Sequence, residues 1–315
     1  MNSSPQQVLV TGAAGYLGSI LTPMLLAKGF KVTALDNFLY GQTSLLDCCH
    51  DERLTIVRGD VRDETLVKKL AAKADVVIPL ACLVGAPLCA QKPIEARSIN
   101  LDAILMLLKH TSANQRILSP TTNSGYGVGQ EGQFCTEETP LRPISLYGKL
   151  KVELEEALLG SGRAVSLRLA TVFGVSPRMR LDLLVNDFTH RAVTDRFIVL
   201  FEAHFKRNYI HVRDVARAFL HAHDHFDAMR GQAYNVGLTE ANLSKMELCL
   251  EIKKQLPEFT IMESPVGKDP DQRNYIVSNE KIERTGYRPQ VSLQQGIAEL
   301  IKGFQVIRRN QYANV

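Results

Sequence analysis

A strand, a glycine-rich turn and a helix open the chain, and this unit constrains the fold more than any other feature. The apolar run QVLVTG leads into Gly12, Gly15 and Gly18, and the helix-like segment YLGSILTPMLLAKG follows, with Gly29 as its capping residue. Glycines so placed let the backbone turn tightly and approach a pyrophosphate at the positive end of the helix. The spacing alone is a weak signal, since any short turn can carry it, but its position between strand and helix favours a dinucleotide site.

Short apolar segments alternate with helix-length segments through the first half of the chain. After the first strand come KVTALD, LTIVRGD, DVVIPLA, QRILSP and AVSLRLATVFG. Short apolar strands separated by helices indicate parallel βαβ units with both faces of the sheet covered. We therefore predict an α/β fold, namely a Rossmann-type doubly wound parallel sheet with a smaller C-terminal α/β substrate lobe.

The second half is less regular and predicts the lobe. PRMRLDLLVNDFTHRAV is typical of a helix that leaves the sheet, KRNYIHVRDVARAFLHAHDHF of a strand and helix that return to it, and QAYNVG of a further strand. We assign residues 1–177, with 205–237 returning, to the dinucleotide-binding domain, and residues 178–204 and 238–315 to the substrate lobe. The lobe should close over the carboxyl ends of the strands, where open parallel sheets bind ligands.

Composition restricts the partners and the location of the protein. Of 315 residues 45% are apolar and 22% charged, and the net charge of +4 suits an anionic small molecule but not nucleic acid or a membrane surface. The six cysteines lack metal-ligand spacing, and His221 and His225 lie on a predicted helix away from the cleft, so we expect no metal. No segment reaches the about 18 apolar residues of a membrane span, and the first residues do not resemble a signal peptide, so we expect a cytoplasmic protein.

An acidic residue at the end of the second strand predicts the cofactor. Asp36 lies about 20 residues beyond the glycine loop, where a carboxylate accepts hydrogen bonds from a ribose 2′-hydroxyl and repels the 2′-phosphate of NADP. Asp60 ends the third strand and could flank the adenine. We therefore expect NAD, bound through the glycine loop, the ends of the strands and one later helix: Gly12, Gly15, Tyr16, Leu17, Gly18, Asp36, Asn37, Asp60, Val61, Leu80, Ala81, Tyr147 and Lys151.

Tyr147 and Lys151 stand four residues apart in YGKLK and therefore on one face of a helix. Lowering the pKa of a phenol from about 10 to about 7, where it can act as a base, takes roughly 4 kcal/mol. The ammonium of Lys151 and an oxidised nicotinamide ring are two positive charges that could supply it. The alternative is a solvated lysine beside a half-buried tyrosine.

Together with the glycine loop, this pair resembles the extended short-chain dehydrogenase/reductase family, which comprises nucleotide-sugar epimerases and dehydratases. TNSGYG resembles a family segment in which a serine or threonine stands four residues before a YG pair, and it puts Thr122 at that position. SIN matches the segment that carries the family's tetrad asparagine, here Asn100. RNYIHVRDVA (207–216) and YNVG (234–237) match later family segments. The resemblance implies that Tyr147 is the base, that Lys151 lowers its pKa, that Thr122 orients a sugar C4 hydroxyl, and that Asn100 supports the relay.

Two residues narrow the reaction that the resemblance implies. In the family's 4,6-dehydratases, Asp and Glu typically follow the threonine, but here Asn123 and Ser124 do. Since an amide and a neutral hydroxyl cannot remove water by acid–base catalysis, we expect oxidation at C4, either alone or as the first half of an epimerisation.

Longer strings narrow the resemblance further. LVGAPLC, TNSGYG and FGVSPRMRLDLLVNDF resemble the GDP-heptose 4-dehydrogenases of capsule polysaccharide biosynthesis, which implies a GDP-sugar in preference to a UDP-sugar. The alternative is a nucleotide-sugar 4-epimerase similar to UDP-glucose 4-epimerase. A non-catalytic NAD-binding protein is disfavoured, because both Tyr147 and Lys151 are present.

The remaining candidates concern the substrate and the assembly. Guanidinium groups can bind a diphosphate through paired hydrogen bonds. The expected substrate contacts are Val84, Cys89, Asn123, Ser124, Arg178, Arg180, Arg207 and Arg273, although Cys89 could instead be a small apolar filler. The family resemblance also implies a homodimer formed through LDAILMLLKH and the helix that carries Tyr147.

Overall fold

The computed structural model describes residues 5–266 and 273–307. The first half of the chain contains, in order, β1 Gln7–Thr11, α1 Gly18–Ala27, β2 Lys31–Asp36, β3 Leu54–Arg58, α2 Glu64–Ala71, β4 Val76–Pro79, α3 Ala86–Gln91, α4 Pro93–Arg97, α5 Ala103–Lys109, β5 Arg116–Thr122, β6 Phe134–Cys135, α6 Leu146–Gly160 and β7 Ala164–Leu169. A π-helical turn, Ser98–Asp102, joins α4 to α5, and a 3₁₀ turn, Asn123–Tyr126, follows β5.

The second half contains β8 Thr171–Phe173, α7 Leu184–Thr194, β9 Phe197–Leu200, β10 Lys206–His211, α8 Val212–Asp224, α9 Phe226–Met229, β11 Gln232–Val236, β12 Asn242–Ser244, α10 Lys245–Gln255, β13 Thr260–Glu263, β14 Ile276–Val277, α11 Glu280–Arg284 and α12 Leu293–Val306. Within the described ranges, no helix has the length and apolar character needed to cross a bilayer.

Seven parallel strands form the main sheet in the order β11-β7-β5-β4-β1-β2-β3. The direction of winding reverses between β1 and β4, so a crevice opens there at the carboxyl ends of the strands. The predicted doubly wound α/β fold is therefore confirmed.

The alternating side chains of the strands build a core on each face of the sheet. Val8 and Val10 of β1 pack with Leu25 of α1 and Phe219 of α8. Leu9 points to the opposite face and packs beneath α2 and α5. Both faces are thus apolar, which explains why the strands are continuous apolar runs.

A second apolar core is built by α7, α10 and α12 together with residues that precede the lobe in the chain, such as Phe173. Phe188, Leu248, Ile297 and Leu300 belong to this apolar cluster. Capping boxes start α10 and α12, with Ser244 paired to Glu247 in the first of them. Because these side chains accept hydrogen bonds from the free backbone N–H groups, both helices begin at defined residues.

Three predicted elements differ from the structure. AVSLRLATVFG is two strands, because the chain leaves the main sheet after Ala170, whose N–H donates to the Val236 carbonyl (2.9 Å). Strand β10, which we expected to return to the main sheet, pairs instead with β8 and β12 in a separate three-stranded sheet, while α8 and β11 do return. The helix expected from residue 177 starts only at Leu184, because residues 178–183 follow the cleft wall.

Candidate active site

One large cleft, of about 1150 Å³, opens at the carboxyl ends of the main sheet and is closed on the other side by the lobe. Pockets for a single small ligand measure about 300–1000 Å³. The cleft therefore has room for a dinucleotide and a second ligand side by side. The glycine loop lines one end, and residues of α7, β10 and α10 line the other.

The glycine loop is packed too closely for side chains. Gly12 has a φ of +69°, and a Cβ there would lie 2.6 Å from the backbone nitrogen of Ala81 at the end of β4. A Cβ on Gly18 would lie 2.4 Å from the Gly12 carbonyl oxygen. The loop thus lies directly against the neighbouring strand end and leaves the start of α1 open to the cleft.

A tyrosine of the same loop reaches across the cleft to the start of the lobe. The Tyr16 hydroxyl donates to the carbonyl of Gly174 (2.6 Å) and accepts from the amide of Asn186 (3.3 Å). The hydroxyls of Ser19 and Ser176 lie 2.9 Å apart beside it. These bonds join the glycine loop to the segment that enters the lobe.

Asp36 holds the glycine loop against the end of β2. Its Oδ2 accepts from the Ala14 N–H (2.9 Å) and its Oδ1 from the Phe38 N–H (2.7 Å). Burial raises the pKa of this carboxyl, and the hydrogen bonds from Phe38 and Ala14 oppose the rise, as do the charges of Arg178 and Arg58. With Asp60 and Val61 on the same cleft wall, these residues fit the adenosine half of NAD.

Arg178 lies closer than expected to the part of the cleft that fits the cofactor. Its guanidinium lies over the ring of Tyr40 at 4.2 Å, and it acts electrostatically on Asp36. The sequence analysis placed Arg178 with the substrate contacts, because its segment enters the lobe. The cationic neighbours of Asp36 were not foreseen, since Arg58 follows from the register of β3 with β2 and Arg178 from the path of residues 174–183.

Thr122, Tyr147 and Lys151 line one wall of the cleft together. Ser145 caps α6 by accepting from the Gly148 N–H (3.1 Å), which starts the helix just before Tyr147. Lys151 is only 3% exposed, and its Nζ donates to the Pro120 carbonyl (3.2 Å) near the end of β5. Thr122 ends that strand, and its hydroxyl lies 3.0 Å from that of Ser124, which lines the same cleft.

Burial dominates the ionisation of Tyr147. It raises the pKa of the phenol above its ordinary value, Cys82 adds to the rise, and Arg180 and Arg273 are the cations that oppose it most. The sequence analysis named only Lys151 on the protein side. The lobe therefore contributes to the electrostatics of Tyr147, and the protein alone keeps the phenol protonated at neutral pH.

Three predicted site residues do not line the cleft: Asn100, Cys89 and Asn123. Asn100 is fully buried in the π-helical turn, and its amide bonds both the N–H and the carbonyl of Leu83 (2.8 Å each). Cys89 is buried as well, its Sγ lies 3.2 Å from the same carbonyl, and burial raises its pKa to about 11. The expected substrate contact of Cys89 is thus not found: its side chain belongs to an apolar cluster, and its sulfur also accepts from the amide of Asn100 (3.7 Å).

Asn123 is buried beneath the cleft, and its amide has no hydrogen-bond partner among the described residues. Ser124, by contrast, lines the cleft and accepts from the guanidinium of Arg273. Of the two residues that stand where dehydratases carry acids, only one thus faces the cleft.

Several residues that line the cleft were missed as site residues, among them Cys82 and Lys245. Cys82 lies at the exit of β4, and burial raises its pKa, while Lys151 lowers it. Lys245 begins α10, is 5% exposed, and its Nζ donates to the Phe201 carbonyl (2.5 Å). The spacing around Lys245 resembles that of any capped helix, so no local signal pointed to it.

The lobe side of the cleft is rich in cations, including three of the four predicted arginines, Arg180, Arg207 and Arg273. Arg180 pairs with Asp182 (2.5 Å), and Arg207 lies over the ring of Tyr275 at 5.7 Å. The cationic side chains that line the cleft are Lys151, Arg178, Arg180, Arg191, Arg207, Lys245 and Arg273. Such a surface suits a diphosphate. Val84 also lines the cleft, as expected.

The described residues hold no group of three or more His, Cys, Asp or Glu side chains that could bind a metal ion. The His221 ring bonds the Thr285 hydroxyl (2.7 Å) and lies 4.3 Å from that of His225. Neither histidine lines the cleft.

Comparison with known proteins gives matches along almost the whole chain. A sequence model of the NAD dependent epimerase/dehydratase family matches residues 8–237. UDP-glucose 4-epimerase of Mycolicibacterium smegmatis is 28% identical, over 95% of this chain and 98% of that protein. dTDP-glucose 4,6-dehydratase of an Actinoplanes species is 27% identical, over 96% of this chain and 98% of that protein. The crystal structure of UDP-glucose 4-epimerase from Thermus thermophilus in complex with NAD has a TM-score of 0.79 and 26% identity, and covers 95% of this chain and 99% of that one.

Proposed function

Since the chain belongs to the NAD dependent epimerase/dehydratase family, we propose that it oxidises C4 of a nucleotide-linked sugar, with Tyr147 as the base. The family consists of NAD-dependent enzymes that act on nucleotide sugars, so the cofactor is NAD. One observation carries the proposal. Thr122, Tyr147 and Lys151 line the same wall of a cleft that has the glycine loop at one end and a cluster of arginines at the other.

Each residue of this wall has a chemical task in the proposed reaction. Thr122 hydrogen-bonds the C4 hydroxyl, and the Tyr147 phenolate removes its proton as the C4–H bond breaks. Bound NAD supplies the acceptor for the hydride from C4, which leaves a ketone. Lys151 favours the phenolate by its positive charge, which is held 3.2 Å from the Pro120 carbonyl.

Loss of water from C5 and C6 is not part of the proposal, although one relative is a 4,6-dehydratase. That elimination needs an acid and a base beside Thr122. Asn123 is an amide without access to the cleft, and the Ser124 hydroxyl accepts from Arg273. Neither side chain can take that role.

Two reactions share the proposed first step. The strings LVGAPLC and TNSGYG support net oxidation, as in GDP-heptose 4-dehydrogenases of capsule or surface polysaccharide biosynthesis, with a GDP-sugar as substrate. A 4-epimerase is the second candidate, supported by UDP-glucose 4-epimerases that match over nearly their full length. In that case the hydride would return to the opposite face of the ketone.

The test combines a substrate panel with one variant. The enzyme and NAD are incubated with GDP- and UDP-sugars, and nicotinamide absorbance and sugar products are followed. Lasting reduced cofactor with a keto-sugar supports the dehydrogenase, and an inverted C4 hydroxyl without net reduction supports the epimerase. Tyr147→Phe should lower turnover by orders of magnitude with little change in NAD affinity. Tyr234→Phe changes a tyrosine outside the cleft and should leave turnover near the wild-type value. Near-normal turnover of Tyr147→Phe would refute the proposal.

We also propose that the protein is a homodimer, formed through α5 and α6. Leu105, Met106 and Leu108 of α5 are only partly buried in the single chain, which supports an interface there. Light scattering that reports a monomer at micromolar concentration would contradict it.

A further inference from the structure

A third polar residue lies on the inner face of α6, beneath Tyr147 and Lys151. Glu155 follows Lys151 by four residues and Tyr147 by eight, so all three lie along one side of the helix. Unlike the other two, Glu155 does not line the cleft, and it is only 3% exposed. A charged group buried this deeply needs partners, and its partners show what it holds.

The Glu155 carboxylate receives hydrogen bonds from two strands of the main sheet. On β7, Arg168 donates to Oε1 through Nη2 (2.7 Å) and Nε (2.9 Å), and the Ser166 hydroxyl donates to Oε2 (2.6 Å). On β5, the Thr121 hydroxyl donates to Oε2 (2.8 Å). The carboxylate thus joins α6 to both strands beneath it.

Arg168 extends this network to the turn after β5. Its Nη1 donates to the Tyr126 hydroxyl (3.0 Å), which lies 2.7 Å from Oδ1 of Asn235 on β11. Burial alone would lower the pKa of Arg168, but its bonds to Glu155 and Tyr126 outweigh burial and raise it. The guanidinium therefore remains a cation between its two anchors.

The network holds Thr122 from both sides. Thr121 precedes it in β5, and Tyr126 ends the turn that follows it. Glu155 meanwhile holds the inner face of α6, which also carries Tyr147. A buried ion pair adds little net stability, but breaking it leaves an uncompensated charge and frees the elements it joins.

We propose that Glu155 is a positioning residue, whose carboxylate, held by Arg168 and Thr121, sets the separation of Tyr147 and Thr122. The inference rests on the proposed function, in which Tyr147 takes a proton from a hydroxyl held by Thr122. A displacement of about 1 Å in such a pair can slow a reaction by about 100-fold. Binding of NAD and of the nucleotide depends on other parts of the cleft, so it should be spared.

The rate–pH profile separates positioning from a simple charge effect. The polar and charged groups around Tyr147 are Thr122, Lys151, Cys82, Cys89, Arg180 and Arg273. If loss of Glu155 moves Tyr147 away from these cations, its pKa rises and the rate increases only at higher pH. Removing a negative charge without movement would do the opposite, because a phenolate forms more easily when a nearby anion is gone.

The experiment compares Glu155→Gln with Glu299→Gln, which breaks an ion pair with Arg213 outside the cleft. For Glu155→Gln we expect kcat to fall about tenfold or more, with the KM of the nucleotide sugar and the Kd of NAD within about twofold of wild type. The rising limb of its kcat profile should move to higher pH. Glu299→Gln should keep the wild-type kcat and profile at temperatures where it is folded.

Two results would overturn the inference: an unchanged kcat in folded Glu155→Gln, or a lowered kcat whose pH profile is unmoved or moved to lower pH. Should that variant not fold, Thr121→Val decides by the same criteria, with an expected loss of about threefold to tenfold. Tyr147→Phe is measured in parallel. If it turns over normally, the proposed function fails and this inference with it, whereas an inactive Tyr147→Phe beside an unaffected Glu155→Gln overturns only the inference.

Discussion

Single residues at the glycine loop and at the end of β2 carry the cofactor selectivity that we expect. Asp36 presents a buried carboxylate beside the loop, and a negative charge there disfavours a 2′-phosphate. Two arginines act on the same carboxylate. Discrimination against NADP should therefore depend on this one charge.

Asp36→Asn should lower NAD affinity about tenfold and reduce the preference for NAD over NADP, because the repulsion of the 2′-phosphate is removed while Arg58 and Arg178 stay. Calorimetric titration with both cofactors measures this change. Asp51→Asn removes a carboxylate that bonds Arg53 outside the cleft and should leave both affinities unchanged. An unaltered ratio of affinities in Asp36→Asn would contradict the assignment.

Gly18→Ala should destabilise the protein by about 1–3 kcal/mol and abolish tight NAD binding, because the new methyl would meet backbone oxygens that cannot move away. The matched control is Gly160→Ala at the end of α6, where a Cβ has no neighbour within 4 Å. There the change should stabilise by about 0.4–1 kcal/mol. Denaturant unfolding measures both, and equal effects would contradict the close packing of the loop.

Residues with local signals were predictable, and residues placed by long-range packing were not. Local spacing was sufficient for the glycines, Asp36, Tyr147 and Lys151. Once a strand, a turn or a helix forms there, its geometry alone determines which of these residues lie next to each other. Cys89 was misplaced, because its burial depends on how the chain turns after β4 and on the bonds of Asn100 to Leu83. No spacing in the sequence encodes that turn.

Among the secondary structure elements, α12 and α8 are joined by a carboxylate with a strongly shifted pKa. Glu299 of α12 accepts two bonds from Arg213 of α8 (2.6 and 2.7 Å) and lies 3.4 Å from the His211 ring nitrogen. Burial would raise the pKa of Glu299, but the nearby His211 ring and the hydrogen bonds from Arg213 outweigh it and lower the pKa to about 2. The lobe is thus attached to the main fold by an interaction that depends on pH.

Because the folded pKa of Glu299 is below its unfolded value of about 4.3, its stabilisation is complete above that pH and is lost as the pH falls toward 2. Glu299→Gln should lower the free energy of unfolding at pH 7 by about 1–3 kcal/mol, and the difference should shrink between about pH 4.5 and pH 2. Urea unfolding at several pH values measures this.

Glu280→Gln is the matched control, since Glu280 pairs with Arg284 on the exposed side of α11. Exposed pairs contribute about 0–1 kcal/mol, so this change should be small at every pH. A Glu299→Gln difference that stays constant from pH 7 to pH 2 would show that the side chain stabilises by packing and not by charge.

The elements of the main sheet could be predicted from short apolar runs between helices, but the separate sheet of β8, β10 and β12 could not. Strand β8 lies in the same apolar run, AVSLRLATVFG, as β7 of the main sheet. Membership is decided by the turn at Ala170, where a single backbone bond to Val236 marks the departure. Which sheet a strand joins depends on which neighbouring strand has a free edge in the folded protein. The local sequence does not contain this information.

On the scale of the whole molecule, the ionisation of Tyr147 combines contributions from distant parts of the chain. The phenol lies on α6, the opposing cations Arg180 and Arg273 belong to separate segments, and the glycine loop proposed to bind NAD lines the same cleft. Burial raises the pKa of Tyr147 when the protein is alone. Ligands that bring positive charge must therefore act before the residue can serve as a base.

We expect the protein without ligands to show no Tyr147 phenolate below about pH 10, and bound oxidised NAD to bring its formation to lower pH, because the nicotinamide adds a positive charge. The measurement is the ultraviolet difference titration of wild type against Tyr147→Phe, with and without NAD. Phenolate absorbance from Tyr147 at neutral pH in the protein alone would contradict the burial effect. A titration unaffected by NAD would contradict the placement of the ring.

The bonds that Tyr16 and Ser19 make with Gly174, Ser176 and Asn186 bear on how this architecture can be recombined. A chimera in which the lobe of another protein is joined at residues 174–176 would lose these hydrogen bonds. We expect such a chimera to bind the dinucleotide more weakly, in addition to having a changed sugar specificity. Sugar specificity should therefore be transferable between homologues when the crossover point leaves these hydrogen bonds within one parent sequence. It should not be transferable when the crossover point separates their partners.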